Sequence, residues 1–129
     1  MIRFGLIGLG VLWILTGISI FADPVGFYDI VPGLKLMGPF NLHFIRDVGL
    51  AFVASGGALA WGAYVSAQLL VYAGLGWPSL HALFHIQIWS HRGFSLDGIF
   101  AFDLAVVIGP PLLAFLAMWK FGLAGDTAS

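Results

Sequence analysis

The stretch FGLIGLGVLWILTGISIFA, residues 4–22, decides what kind of object this chain is. It carries no ionisable side chain, and as a helix rising about 1.5 Å per residue it covers roughly 30 Å of hydrocarbon. The rest of the chain keeps that character. Of its 129 residues, 60% are hydrophobic and 9% charged, and the mean hydropathy is +1.02, whereas about a quarter of the residues of a soluble domain are charged. A domain of this size folded in water would still expose much of its surface, so the apolar excess calls for lipid as solvent. The sequence predicts an all-α fold in one integral membrane domain, residues 1–129. It is a four-helix transmembrane bundle, with helices over about 4–22, 42–61, 67–89 and 97–119 and an interfacial loop between helices 1 and 2.

The boundaries follow from local chemistry. Arg3 ahead of the first run raises the alternative of a signal peptide; cleavage after Ala22 would put Ile20 where a small residue is required, so the run reads as a retained helix. Asp23-Pro24 ends it, since proline restricts the residue before it and cannot donate to the helix ladder. Residues 23–40 are punctuated by Pro24, Gly26, Pro32, Gly33, Gly38 and Pro39, yet hold too many apolar side chains for a solvated linker. They are expected to form a loop that lies at the interface or folds onto the bundle as a lid.

Asn41 is an N-cap for the second helix, along which Gly49, Ala54, Gly56, Gly57, Ala58 and Ala60 permit close approach of a neighbour. Trp61 and Tyr64 suit an interfacial belt. Pro78 should kink the third helix and free a carbonyl. Ser95 or Asp97 caps the fourth, Gly109-Pro110-Pro111 is a bend point within it, and Trp119 with Lys120 anchors its end. Residues 125–129 read as a frayed tail.

Charge and cysteine content exclude several classes of function. A net charge of −1 without a basic block argues for no nucleic acid partner. The absence of cysteine removes disulfides, thiolate metal sites, iron–sulfur clusters and thiol exchange. The lipid bilayer is the expected partner of this multi-pass chain, and a homo-oligomer or a larger membrane complex stays open. Arg3 and Lys120 fall on the side of the termini, against Lys35, Arg46 and Arg92 on the other. Setting Arg46 and Arg92 aside as site residues favours cytoplasmic termini.

Ionisable groups inside segments this apolar require an explanation. Three of the four histidines lie in residues 80–92, and the fourth, His43, is followed by Arg46 and Asp47. Four crossings place the start of helix 2, the end of helix 3 and the start of helix 4 in one leaflet. His43, Arg46, Asp47, His81, His85 and Asp103 are therefore the expected ligand or proton site, with His91, Arg92 and Asp97 nearby. His81 and His85 share a helix face, as do His43 and Asp47. His43, His81 and His85 together have the donor chemistry for a transition metal. Haem ligation by His43 and His85 is open geometrically, but no residue pattern selects it. Alternatively, arginine holds an organic ligand while histidine shuttles protons. Against both stands a purely structural network that fixes helix register, with Asp103 paired to Arg46. The H-x-x-x-H spacing alone is weak, since it lacks the glutamate of the zinc proteases. The phenylalanines Phe40, Phe44, Phe52 and Phe84 read as packing. His91 and Arg92 read as interface residues, and a transport pathway is disfavoured because no inverted repeat is visible.

The run Asn41-Leu42-His43-Phe44-Ile45-Arg46-Asp47-Val48-Gly49 together with His81-Ala82-Leu83-Phe84-His85 resembles small four-helix bacterial membrane proteins loosely akin to DoxX-like proteins. That group reads N-x-H-x-x-R-D-V-G and then H-x-x-x-H-x-x-H; here Ile88 stands where the third histidine falls, and His91 is the nearest later one. The resemblance covers about residues 24–103. It implies a bacterial inner-membrane protein of four helices and brings no activity with it. Two functions follow as expectations: a membrane protein with a buried His/Arg/Asp site for a small ligand, a metal or protons, and an accessory subunit of a larger complex whose polar cluster serves only helix packing.

Overall fold

The computed structural model describes residues 2–123, and among them every regular element is helical. Helix α1 is Ile2–Ala22, α2 is Pro24–Ile30, α3 is Leu42–Tyr64 and α4 is Gln68–His91. A short α5, Gly98–Phe102, passes through a wide π turn, Asp103–Ile108, into α6, Gly109–Phe121. These three pieces make one continuous fourth span. Four segments are long and apolar enough to cross a membrane: Ile2–Ala22, Leu42–Tyr64, Gln68–His91 and Gly98–Lys120. The expected tail at residues 125–129 lies outside the described residues.

The helices form a ring in which α1 packs on α3, α3 on α4, α4 on the fourth span, and α6 lightly on α1. The α1–α3 seam is written in spacing. Leu6, Gly10, Trp13, Gly17 and Ile20 are the buried positions of α1, alternating four and three residues apart, as a seam between two slightly crossed helices requires. Ile45, Gly49, Gly56, Leu59 and Ala63 carry the same rhythm on α3. The glycines let the backbones touch. A Cβ on Gly17 would stand 2.3 Å from the Gly49 carbonyl oxygen, and one on Gly56 would stand 2.5 Å from that of Gly10. In lipid, where burial from water does not drive association, this close van der Waals approach is what holds helices together.

The filled core occupies the half of the bundle nearest the termini. Leu6, Trp13, Leu59, Val71, Leu75, Ala114, Met118 and Leu123 meet there. Outward-facing Leu12, Leu69, Leu80 and Leu113 are largely exposed, which suits a lipid-facing surface. Arg3 hydrogen-bonds the Tyr64 carbonyl and lies 5.8 Å from the Tyr64 ring centroid, tying the start of α1 to the end of α3.

Two local expectations need correction. Residues 23–40 are not simply a loop: Asp23 accepts a hydrogen bond from the Gly26 amide at 3.0 Å, Pro24 takes the first helical position, and α2 follows. An aspartate followed by proline ends one helix and starts the next. The third helix is not interrupted at Gly74, Gly76 or Pro78: it is continuous from Gln68 to His91, with Pro78 buried inside it. Just before Gly109-Pro110-Pro111, expected as a bend point, the chain makes a π turn. Neither proline can donate a hydrogen bond, and the Gly109 amide reaches back five residues to the Leu104 carbonyl.

The buried positions of the fourth span record that insertion. They run Asp103, Ile108, Pro111, Ala114, Met118, so the first step is five residues and the others are three or four. The extra residue keeps Asp103 on the inward face shared with the core positions below it.

Candidate functional site

Away from the termini, the interior opens into a cavity of about 350 Å³. Its walls are Phe44, Ile45, Val48 and Phe52 from α3, His81, Phe84, His85 and Ile88 from α4, and Ile99, Phe102, Asp103, Val106 and Val107 from the fourth span, with Thr16 from α1. Phe27, Val31, Pro32, Gly33, Leu34, Leu36 and Met37 close it from above. The segment between α1 and α3 is therefore a lid. It is braced internally by the Lys35–Asp29 ion pair at 2.8 Å and by the Tyr28 hydroxyl, which donates to the Gly38 carbonyl at 2.7 Å. The Asp29 carboxylate keeps the Lys35 ammonium proton beyond its ordinary range. Gly33 adopts φ +81°, and a Cβ there would stand 2.9 Å from Ile99, so only glycine seats the lid this closely on the fourth span.

Two ionisable groups meet in the wall. His85 Nδ1 lies 3.0 Å from Asp103 Oδ2, with side-chain exposures of 21% and 9%. The distance is that of an ion pair, yet buried His85 Nδ1 completes no hydrogen bond. The ring N–H direction misses the oxygen, so the groups are in electrostatic contact without a directed bond. His81 sits one turn deeper, stacked on Trp77 with ring centroids 4.9 Å apart and edge-on to His85 at 4.7 Å. Phe52 meets the Trp77 ring edgewise at 5.0 Å. The imidazoles thus belong to an aromatic ladder that fixes their orientation.

The mouth is held by a second pair. Arg92 hydrogen-bonds the Asp97 carboxylate, which also accepts from the Phe100 amide at 3.0 Å and caps α5. The Phe100 N–H, and after it the Arg92 guanidinium, hold the Asp97 carboxyl below its ordinary value. Trp89 stacks on Phe100 at 4.3 Å and donates from Nε1 to the Ser95 carbonyl at 2.9 Å, pinning the turn between α4 and α5.

The six expected site residues therefore divide. His81, His85 and Asp103 line one cavity. His43 does not join them: its side chain is 90% exposed and its Nε2 lies 3.4 Å from Asp47. The i,i+4 rule paired His43 with Asp47 correctly, but Ile45 and Gly49 take the buried face of α3, which turns that pair outward. Arg46 lies 5.1 Å from the Phe21 ring centroid, so the partner of Asp103 is His85 rather than Arg46. Among the described residues no three metal-ligating side chains stand together, and a metal set of His43, His81 and His85 is not assembled. Arg92, read from sequence both as a neighbour of the site and as an interface residue, lines the cavity. Phe44, Phe52 and Phe84 face the cavity, while Phe40 packs edgewise on Tyr28 at 5.5 Å. His91 is exposed and donates from Nδ1 to the Gln87 carbonyl at 2.9 Å.

A larger hollow of about 530 Å³ lies between α1 and the fourth span, lined by Ile2, Gly5, Leu6, Leu9, Leu104, Ala105, Gly109, Pro110, Leu113, Ala114 and Ala117. It offers no ionisable or nucleophilic side chain, so the chemistry lies in the smaller cavity.

These features define a class: a multi-pass membrane protein built as a four-span helical bundle, with an ionisable pair enclosed beneath a lid. Comparison with family models, curated proteins and solved structures finds no match to this chain.

Proposed function

We propose that the chain is an integral membrane protein that binds a small, largely apolar molecule in the cavity beneath the lid, using the His85–Asp103 pair as its polar anchor. One observation carries this reading. A carboxylate that is 9% exposed and an imidazole nitrogen 3.0 Å from it face the cavity, and that nitrogen lacks a hydrogen-bond partner. Ionisable groups inside a membrane span are expensive unless they pair, relay protons or meet a ligand. A cavity of about 350 Å³ lies in the range of small-molecule sites, with apolar walls and a few convergent polar groups.

The test uses phenol, an aromatic ring bearing one hydrogen-bonding group. Ligand-observed NMR with the protein in phosphatidylcholine nanodiscs should reveal saturable binding beyond that of empty nanodiscs. Val48→Trp, which fills the cavity from α3, should abolish it. Equal binding by that variant would sink the reading.

A second reading, the accessory subunit, draws support from the open cleft between α1 and the fourth span, where Gly5, Ala105, Ala114 and Ala117 would admit another helix. Co-purification of one stoichiometric membrane partner, lost in Ala117→Trp and retained in Asp103→Asn, would favour it.

A further inference from the structure

We propose that the ligand is a lipophilic organic cation: an amine or quaternary ammonium group carried on an apolar or aromatic body. This rests on the cavity being a ligand site and names the chemistry that site selects.

Asp103 supplies the charge. Its side chain is 9% exposed, and the one basic group within ion-pair distance of it among the described residues is His85, whose N–H does not point at it. A carboxylate set into apolar surroundings is costly unless a positive group answers it. Nearby basic side chains are committed elsewhere; His81, one turn deeper, is stacked on Trp77. Arg92 lines the cavity but holds Asp97, Arg46 lies over Phe21, and Lys35 pairs with Asp29 in the lid. A bound cation would complete the site.

The walls supply the rest. Phe27 from the lid, Phe44 and Phe52 from α3, Phe84 from α4 and Phe102 from the fourth span all border the cavity. The faces of aromatic rings attract cations, most strongly where water is excluded, and cages of such rings recognise quaternary ammonium groups. An anion would meet Asp103 with like charge, and a neutral molecule would leave the carboxylate unanswered. The cavity volume of about 350 Å³ restricts the body to roughly one ring with short substituents.

The experiment compares phenyltrimethylammonium with tert-butylbenzene, which has the same shape without the charge. Each is titrated by equilibrium dialysis into protein in zwitterionic phosphatidylcholine nanodiscs, with empty nanodiscs as the blank. The cation should bind saturably and at least about tenfold more tightly than its neutral counterpart. Asp103→Asn should erase that preference, and Asp47→Asn, which alters an exposed carboxylate on α3, should leave it unchanged. If Asp103→Asn does not give monodisperse protein, the comparison of the two compounds on the unaltered chain decides alone. Equal affinity for the two, or phenol binding without cation binding, would overturn this inference and leave the ligand cavity standing. Failure of phenol, cation and neutral compound alike would sink both.

Discussion

The two ends of this bundle are built on opposite principles. Near the termini, Leu59, Val71, Leu75 and Met118 are almost wholly buried in a packed core, while glycines bring the α1 and α3 backbones into contact from mid-span to the lid side. Toward the lid, bulky phenylalanines, the π turn and an ionisable pair border a hollow. The same apolar composition serves both ends, so hydrophobicity does not distinguish them. Side-chain size does, together with the points where the helix ladder is interrupted. The terminal core and the α1–α3 seam supply the packing that holds the helices in register, and the lid side can then tolerate a cavity and a buried carboxylate.

The largest effect should come from breaking the α1–α3 glycine seam. In Gly17→Leu, the new Cβ would stand 2.3 Å from the Gly49 carbonyl oxygen, backbone that cannot yield without parting the helices. We expect a loss of about 3 kcal/mol or more in detergent unfolding, at the upper range for overpacking. Gly57→Ala, where nothing lies within 4 Å, should change stability by under about 1 kcal/mol and serves as the control.

Next in size is the π turn. A Cβ in Gly109→Ala would meet the Leu104 carbonyl oxygen at 2.6 Å. It should cost about 1–3 kcal/mol and rotate Asp103 away from His85, which a shift of the His85 ring resonances would report. Unchanged resonances would show that the wide turn does not position the carboxylate.

The mouth should respond to acid. Asp97 titrates below its ordinary value in the folded protein because the Phe100 amide and Arg92 favour its charged form. A depressed carboxyl contributes stability above its unfolded-state value, and that contribution fades as pH falls through the folded value. Exchange protection of the Phe100 amide should therefore hold at neutral pH and weaken below about pH 4. Asp97→Asn retains a capping oxygen and should remove the acid dependence. The smallest effect is predicted for His43→Ala. With its side chain 90% exposed beside Asp47, it should alter stability by no more than about 0.5 kcal/mol.

Most of the fold was legible because lipid imposes length and composition on each span: Asn41 and Asp97 cap the helices they were expected to cap, at 3.1 and 3.0 Å. The site was legible only in part. Leaflet assignment brought His81, His85 and Asp103 to the same end, but rotation about each helix axis decides who meets whom. That rotation is set on α3 by Ile45 and Gly49, which turn His43 and Asp47 outward. On the fourth span it is set by a one-residue insertion that simple helical periodicity does not contain. Pro110 and Pro111, unable to donate, were the clue to it. The small helix in the lid is hidden in the sequence because Asp23-Pro24 reads equally as the stop of one helix and the start of the next.

The most direct test is the distance between the two groups in the cavity wall. Solid-state NMR on protein labelled with ¹⁵N-histidine and ¹³C-aspartate, reconstituted in lipid, would measure the coupling between His85 Nδ1 and the Asp103 carboxyl carbon. A coupling consistent with the 3.0 Å nitrogen–oxygen contact, absent in His85→Asn, is the predicted result. A separation beyond about 6 Å, outside the reach of a paired charge, would mean that the carboxylate and the imidazole face different surroundings, and the shared cavity would be lost.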